Sequence, residues 1–121
     1  MQADRTHDGA RSCDRGLTQA FALFGKRWNG VLVGTLATGP AGFAELVRAI
    51  PGISESVLSD RLNELTGAGL VVRTVREGPP VGVSYELTSR GATLVPVLET
   101  LSRWADANLP VGTSCPPREA G

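Results

Sequence analysis

A mainly helical fold with one small antiparallel strand pair (α+β) is what this 121-residue sequence predicts, and three observations carry the prediction. Residues 43 to 50 and 54 to 68 each place apolar side chains at helical spacing, with only Pro51-Gly52-Ile53 between them. Two strand-like runs, residues 70 to 76 and 81 to 87, follow at once around Gly78-Pro79-Pro80. Apolar helical faces also flank this centre on both sides. Two helices meeting at a tight turn and followed by a hairpin make the pattern of a winged helix-turn-helix. The apolar terminal helices predict a homodimer built through them.

Each element has its own signal. Leu17, Ala20, Phe21 and Phe24 fall at i, i+3, i+4 and i+7, an amphipathic first helix that Gly25 is placed to cap. Residues 28 to 38 mix Val, Thr and Gly, but Trp28, Val31, Leu32 and Leu36 share a helical face, so a buried helix is expected, ended by Gly39-Pro40. Phe43, Leu46, Val47 and Ile50 define a short helix; Pro51-Gly52 breaks it and Ile53 plugs the turn. Ser54 is a good N-cap for the next helix, whose inner stripe is Leu58, Leu62 and Leu65 and whose end falls at Gly67 and Gly69. In the second strand Val81, Val83, Tyr85 and Leu87 alternate with Gly82, Ser84 and Glu86. Thr88 or Ser89 caps a last helix carrying Leu94, Val97, Leu98, Leu101 and Trp104 on one side, with Pro96 expected to kink or bend it. Residues 1 to 11 read as a flexible polar arm and 110 to 121 as a flexible Pro/Gly/Ser tail, leaving one ordered domain over 12 to 109.

Composition narrows the function. Twelve Lys+Arg balance twelve Asp+Glu, and the sequence pI is near 6.6. That balance argues against indiscriminate polyanion binding, though a dimer can gather its cations on one face. No apolar run approaches the ~20 residues of a membrane span, and no signal-peptide core follows the polar start, so a soluble cytoplasmic protein with no membrane partner is expected. Two cysteines, Cys13 and Cys115, are too few for a secreted disulfide framework. His7 stands alone, no metal-ligand set is present, and paired catalytic carboxylates, Ser-His arrangements and phosphate-cradling glycine loops are absent. Neither an enzyme nor a cofactor is expected.

The helix from 54 to 68 is the candidate recognition helix. With its leucines inward, Ser56, Ser59, Asp60 and Asn63 point broadly outward, Val57 and Arg61 lie on the flank, and Ser54 at the helix start is a further candidate DNA contact. Short hydroxyls and an amide suit base edges and phosphates, Arg61 suits guanine or phosphate, and Val57 suits a thymine methyl. The strand pair would bring Arg73 and Arg76 to the flanking backbone or minor groove. Against this, a polar outer face is what any solvated helix shows, and Glu55, Asp60 and Glu64 are unhelpful beside phosphates. A winged-helix protein-docking module without DNA binding is the competing reading. Trp28, Phe43 and Trp104 at helical spacing read first as core.

Seven pieces in order resemble the HxlR-type family of bacterial winged-helix transcriptional regulators, related in architecture to the MarR group. They are Cys13; GKRW at Gly25 to Trp28; GPAGFAEL at Gly39 to Leu46; RAIPGISESVLSDRLNEL at Arg48 to Leu65; GLVVR at Gly69 to Arg73; VSYELTSRG at Val83 to Gly91; and Trp104. GKRWNG at Gly25 to Gly30 and WAD at Trp104 to Asp106 are most similar to members that sense quinones and other thiol-reactive electrophiles. The resemblance implies a homodimer on a pseudo-palindromic operator of double-stranded DNA, with Leu17, Phe21, Leu98, Leu101 and Trp104 at the interface or its supporting core. It also implies a repressor released when a cysteine is modified, and quinones or other electrophiles as small-molecule partners. Two departures stand out: Gly42 replaces a usual basic residue, and Leu109 stands where some sensors carry a cysteine.

Cys13 is the candidate switch. It falls at the predicted start of a helix, where the dipole and free N–H groups favour a thiolate, and Arg11 and Arg15 flank it while Asp14 opposes. Lys26 or Arg27 is a further cation expected near it in the fold. By position alone an inert small hydrophobe is the simpler reading; the family's N-terminal cysteine at this point implies the sensor. Cys115 is its candidate partner across the dimer, with modification of Cys13 alone as the other route. A regulator without a thiol switch, governed by a non-covalent small molecule or a protein, is the remaining alternative.

Overall fold

The computed structural model describes residues 14–79 and 81–110, so Cys13, Cys115, the predicted arm and the stretch from 111 lie outside the described residues. In chain order the elements are α1 (Arg15–Phe24), α2 (Asn29–Leu36), α3 (Phe43–Ala49), α4 (Glu55–Gly67), β1 (Val71–Arg76), β2 (Gly82–Leu87), α5 (Ser89–Ala92) and α6 (Leu94–Asn108). Strands β1 and β2 pair antiparallel from Val71 opposite Leu87 to Arg76 opposite Gly82, which forms the wing. Ala41 adds one rung to its free edge: its N–H donates to the Tyr85 carbonyl at 3.0 Å and its carbonyl accepts from the Tyr85 N–H at 2.8 Å. No sequence pattern announces that rung, because one residue carries no period.

The core lies between α2, α3, α4 and the root of the wing. Leu32, Val33, Leu36, Leu46, Ile50, Ile53, Leu58, Leu62, Leu65, Leu70 and Val71 form one buried cluster. Each such aliphatic side chain stabilises the fold by about 1.5–3 kcal/mol relative to exposure. The predicted α2 face needs correction. Its buried residues are Asn29, Leu32, Val33 and Leu36, themselves at i, i+3, i+4 and i+7, while Val31 is exposed and Trp28 half-buried. A helix apolar nearly all round gives no stripe to choose by, so tertiary packing sets its rotation.

The helix-turn-helix follows its signals closely. Gly42 opens α3, and the Glu45 carboxylate reaches back to accept its N–H at 2.9 Å. Gly52 makes the turn at φ 90°, with Trp28 Cη2 3.7 Å from the place a Cβ would take. Ser54 Oγ accepts the Val57 N–H at 3.1 Å, the N-cap its sequence position predicts. At the far end of α4, Gly69 takes φ 80°, its N–H donating to Thr66 and the Leu70 N–H donating to Leu65, both at 3.0 Å. This is a Schellman stop, and glycine takes its left-handed position after the Ala68 cap without strain.

The last predicted helix is two. Thr88 caps α5, accepting the Gly91 N–H at 3.0 Å and donating to the Gly69 carbonyl at 2.7 Å, which latches α5 to the end of α4. The helix is interrupted at Thr93, whose backbone stays right-handed, and Pro96 falls in the first turn of α6. Proline lacks an N–H and clashes with the carbonyl four residues back, and a helix start is where neither matters. Val81, expected in the second strand, precedes β2 and is exposed. Gly25 does cap α1, but in a right-handed conformation, its N–H donating to Phe21 at 2.8 Å.

Candidate nucleic-acid interface

Helix α4 divides cleanly. Leu58, Leu62 and Leu65 are fully buried, whereas Ser54, Ser56, Ser59, Asp60 and Asn63 are exposed and Val57 packs half-buried against the core. The predicted reading face is therefore on the surface and in one piece. Ser54 is partly committed, since its oxygen already holds the helix start.

Arg61 is the exception to a freely presented side chain. Its side chain is only 21% exposed, its Nη1 is 3.1 Å from Glu64 Oε1, and its Nε is buried without a hydrogen-bond partner. It lies on the flank, as its place on the wheel implies, but held. The same carboxylate receives Lys26 Nζ at 3.2 and 3.0 Å and Asn29 Nδ2 at 3.2 Å. Asn29 Nδ2 also donates to the Leu23 carbonyl at 2.7 Å, while Oδ1 is buried without a partner. The hydrogen bonds from Lys26 and Asn29, with the two nearby cations, hold the Glu64 carboxyl below its ordinary value. Lys26 is thus turned to α4. Arg27 instead lies over the Trp28 ring, 4.6 Å from its centroid.

The i, i+3 spacing of Arg61 and Glu64 is visible in the sequence and signals this pair. Lys26 and Asn29 carry no such signal, being far from Glu64 along the chain.

The wing separates its two arginines. Arg73 stands opposite Tyr85 and Arg76 opposite Gly82, and three residues apart on a strand means opposite faces. Gly82 leaves room for the Arg76 guanidinium to lie across the ribbon. Both are exposed, so the ribbon offers a cation on either side.

No residue of the terminal helices is fully buried within the chain, and only Leu23, Phe24, Leu94 and Leu98 pack half-buried on the core. Leu17, Phe21, Leu101 and Trp104 are 56%, 59%, 50% and 54% exposed, and only Leu98 of the predicted interface residues packs on the core. Trp104, read first as core, is outside it. Asp14 caps α1 by accepting the Leu17 N–H at 3.0 Å, so one of the N–H groups expected to be free to favour a thiolate is taken. No helix of the described residues is long and apolar enough to cross a membrane.

A capped helix with a polar outer face, braced by a second helix across a tight turn and followed by a two-stranded wing, defines a winged helix-turn-helix DNA-binding regulator. The chain belongs to the HxlR-like helix-turn-helix family, matched over residues 23–113, and is a transcriptional regulator of that kind. It is 42% identical over 90 residues to the HTH-type transcriptional regulator YodB of Bacillus subtilis (strain 168), covering 74% of this chain and 80% of that one. The reduced form of YodB superposes with a TM-score of 0.75 at 38% identity, covering 84% of this chain and all of the other. Its quinone-bound form gives 0.69 at 38% identity over 78% and 99%. The redox regulator HypR in its reduced form gives 0.71 at 31% identity over 77% and 92%.

Proposed function

We propose that this chain is a cytoplasmic, homodimeric repressor whose hold on a pseudo-palindromic operator is released when Cys13 is oxidised or alkylated. The observation that carries the DNA half is the exposed polar side of α4 over its fully buried leucine stripe. In this reading Ser56, Ser59, Asp60 and Asn63 meet base edges and phosphates in a major groove, and Ser54 and Val57 meet the groove wall. Arg61 enters from the flank, and Arg73 and Arg76 straddle the adjacent backbone or minor groove. The apolar residues that α1 and α6 expose are the natural dimer seam, with Leu98 as support. In this reading a single domain spans 12 to 109.

The switch half rests on likeness to YodB, which has been solved reduced and quinone-bound. A Cys13 thiolate adds to a quinone ring carbon, or loses two electrons together with Cys115 of the other subunit to an oxidant and closes a disulfide. Cys13 immediately precedes the N-cap of α1 in sequence, and in this reading either event shifts α1 and so alters the spacing of the two α4 helices. A loss of about 3 kcal/mol lowers occupancy more than a hundredfold. The test is a gel shift of DNA upstream of the protein's own gene, with and without diamide or a benzoquinone. Wild type loses its complex on treatment and Cys13→Ser keeps it. A Cys13→Ser protein as sensitive as wild type overturns the switch.

A further inference from the structure

Behind α4 lies a polar cluster whose hub, Glu64, is not itself among the DNA-contacting residues. Lys26 from the α1–α2 connection and Asn29 from the start of α2 both bond its carboxylate, and Asn29 also bonds the end of α1. These anchors come from outside α4. On α4 itself the same carboxylate holds Arg61 Nη1, one turn back, while Arg61 Nε makes no hydrogen bond. Among the described residues this ion pair is therefore the one polar contact that directs the guanidinium.

We propose that Glu64 is a positioning residue for DNA recognition: anchored by Lys26 and Asn29, it fixes the Arg61 guanidinium at the flank of α4 so that Arg61 meets one base pair or phosphate from a set direction. The inference rests on the DNA-binding function proposed for α4. Its physical basis is preorganisation. An arginine ordered before binding loses less rotamer freedom when it binds, and its planar fork needs a defined approach to pair with two acceptors. The arrangement also explains an acidic residue on a helix that meets phosphates: Glu64 faces two protein cations rather than the duplex.

The test is a double-mutant cycle on DNA affinity. The probe is a labelled duplex selected from a random pool by the reduced wild-type protein. Glu64→Gln is expected to weaken binding about two- to tenfold when Arg61 is present. In an Arg61→Ala background the same change is expected to do nothing further, because there is no guanidinium left to direct. Glu64→Gln also relaxes discrimination at the base pair that Arg61→Ala relaxes. Equal losses in both backgrounds mean that Glu64 merely supports the helix, and they overturn the proposal, as does unchanged or tighter binding by Glu64→Gln alone. If Glu64→Gln fails to fold by circular dichroism, Lys26→Met against Lys26→Arg decides the question from the half-exposed end. The arginine is expected to restore the affinity and base preference that the methionine loses, and equal behaviour of the two overturns the proposal. Failure of the wild-type protein to select any duplex refutes the DNA reading instead, and is seen before any variant is made.

Discussion

Helix α4 hides Leu58, Leu62 and Leu65 completely, whereas α1 and α6, which are more apolar, have no fully buried residue and rest on the core only through half-buried Leu23, Phe24, Leu94 and Leu98. The helix-turn-helix and wing are thus complete in one copy: core, caps, Schellman stop and edge rung are all satisfied internally. The terminal helices keep Leu17, Phe21, Val97, Leu101 and Trp104 exposed to water. On the proposed function this contrast is a division of labour, in which one part recognises DNA and the other spaces two recognisers. Thr88 and Asn29 join the parts, the first tying α5 to the end of α4 and the second tying α1 to Glu64.

The contrast can be broken by substitutions on each side of it. Leu62→Ala in α4 opens a cavity in the closed part and is expected to cost about 2–5 kcal/mol in urea unfolding. Leu101→Glu in α6 is expected to leave the helical circular-dichroism signal intact while weakening self-association by about 10- to 100-fold in sedimentation, the worth of one buried aliphatic side chain. If it unfolds the protein instead, α6 is part of the closed core and the contrast fails. Ser54→Ala removes the N-cap and is expected to lower stability by about 1 kcal/mol without changing association. The smallest effect is in pH. The Glu64 carboxyl is held below its ordinary value, so its contribution is fully present above that value and is lost as pH falls through the lowered one. Acid should destabilise wild type in that window slightly more than Glu64→Gln, slightly because Lys26 is half exposed and water screens the pair.

Much of the fold is legible in the sequence where local rules decide. The spacing of Leu58, Leu62 and Leu65, the Ser54 cap and the Pro51-Gly52 turn all depend on near neighbours, and the structure follows them. The rotation of α2 is not legible, because Val31 and Val33 are equally apolar and only packing chose Val33. Asn29 is a buried polar residue whose partners, Leu23 and Glu64, lie on other elements, so nothing around it predicts its place. Pro96 marks a disturbance without saying which: proline can kink a helix or begin one, and here the helix is interrupted at Thr93 and begins again so that Pro96 falls in its first turn. At the candidate site the outward serines, Asp60 and Asn63 stand as expected, while the restraint on Arg61 depends on residues distant in sequence.

The most direct test of the central claim is the symmetry of the DNA that the reduced protein selects from a random duplex pool. Two copies joined through α1 and α6, each offering α4 to a major groove, predict an inverted repeat. Its half-site centres should lie about 10 base pairs apart or a multiple of that. A single unrepeated site, or no enrichment at all, would contradict the claim.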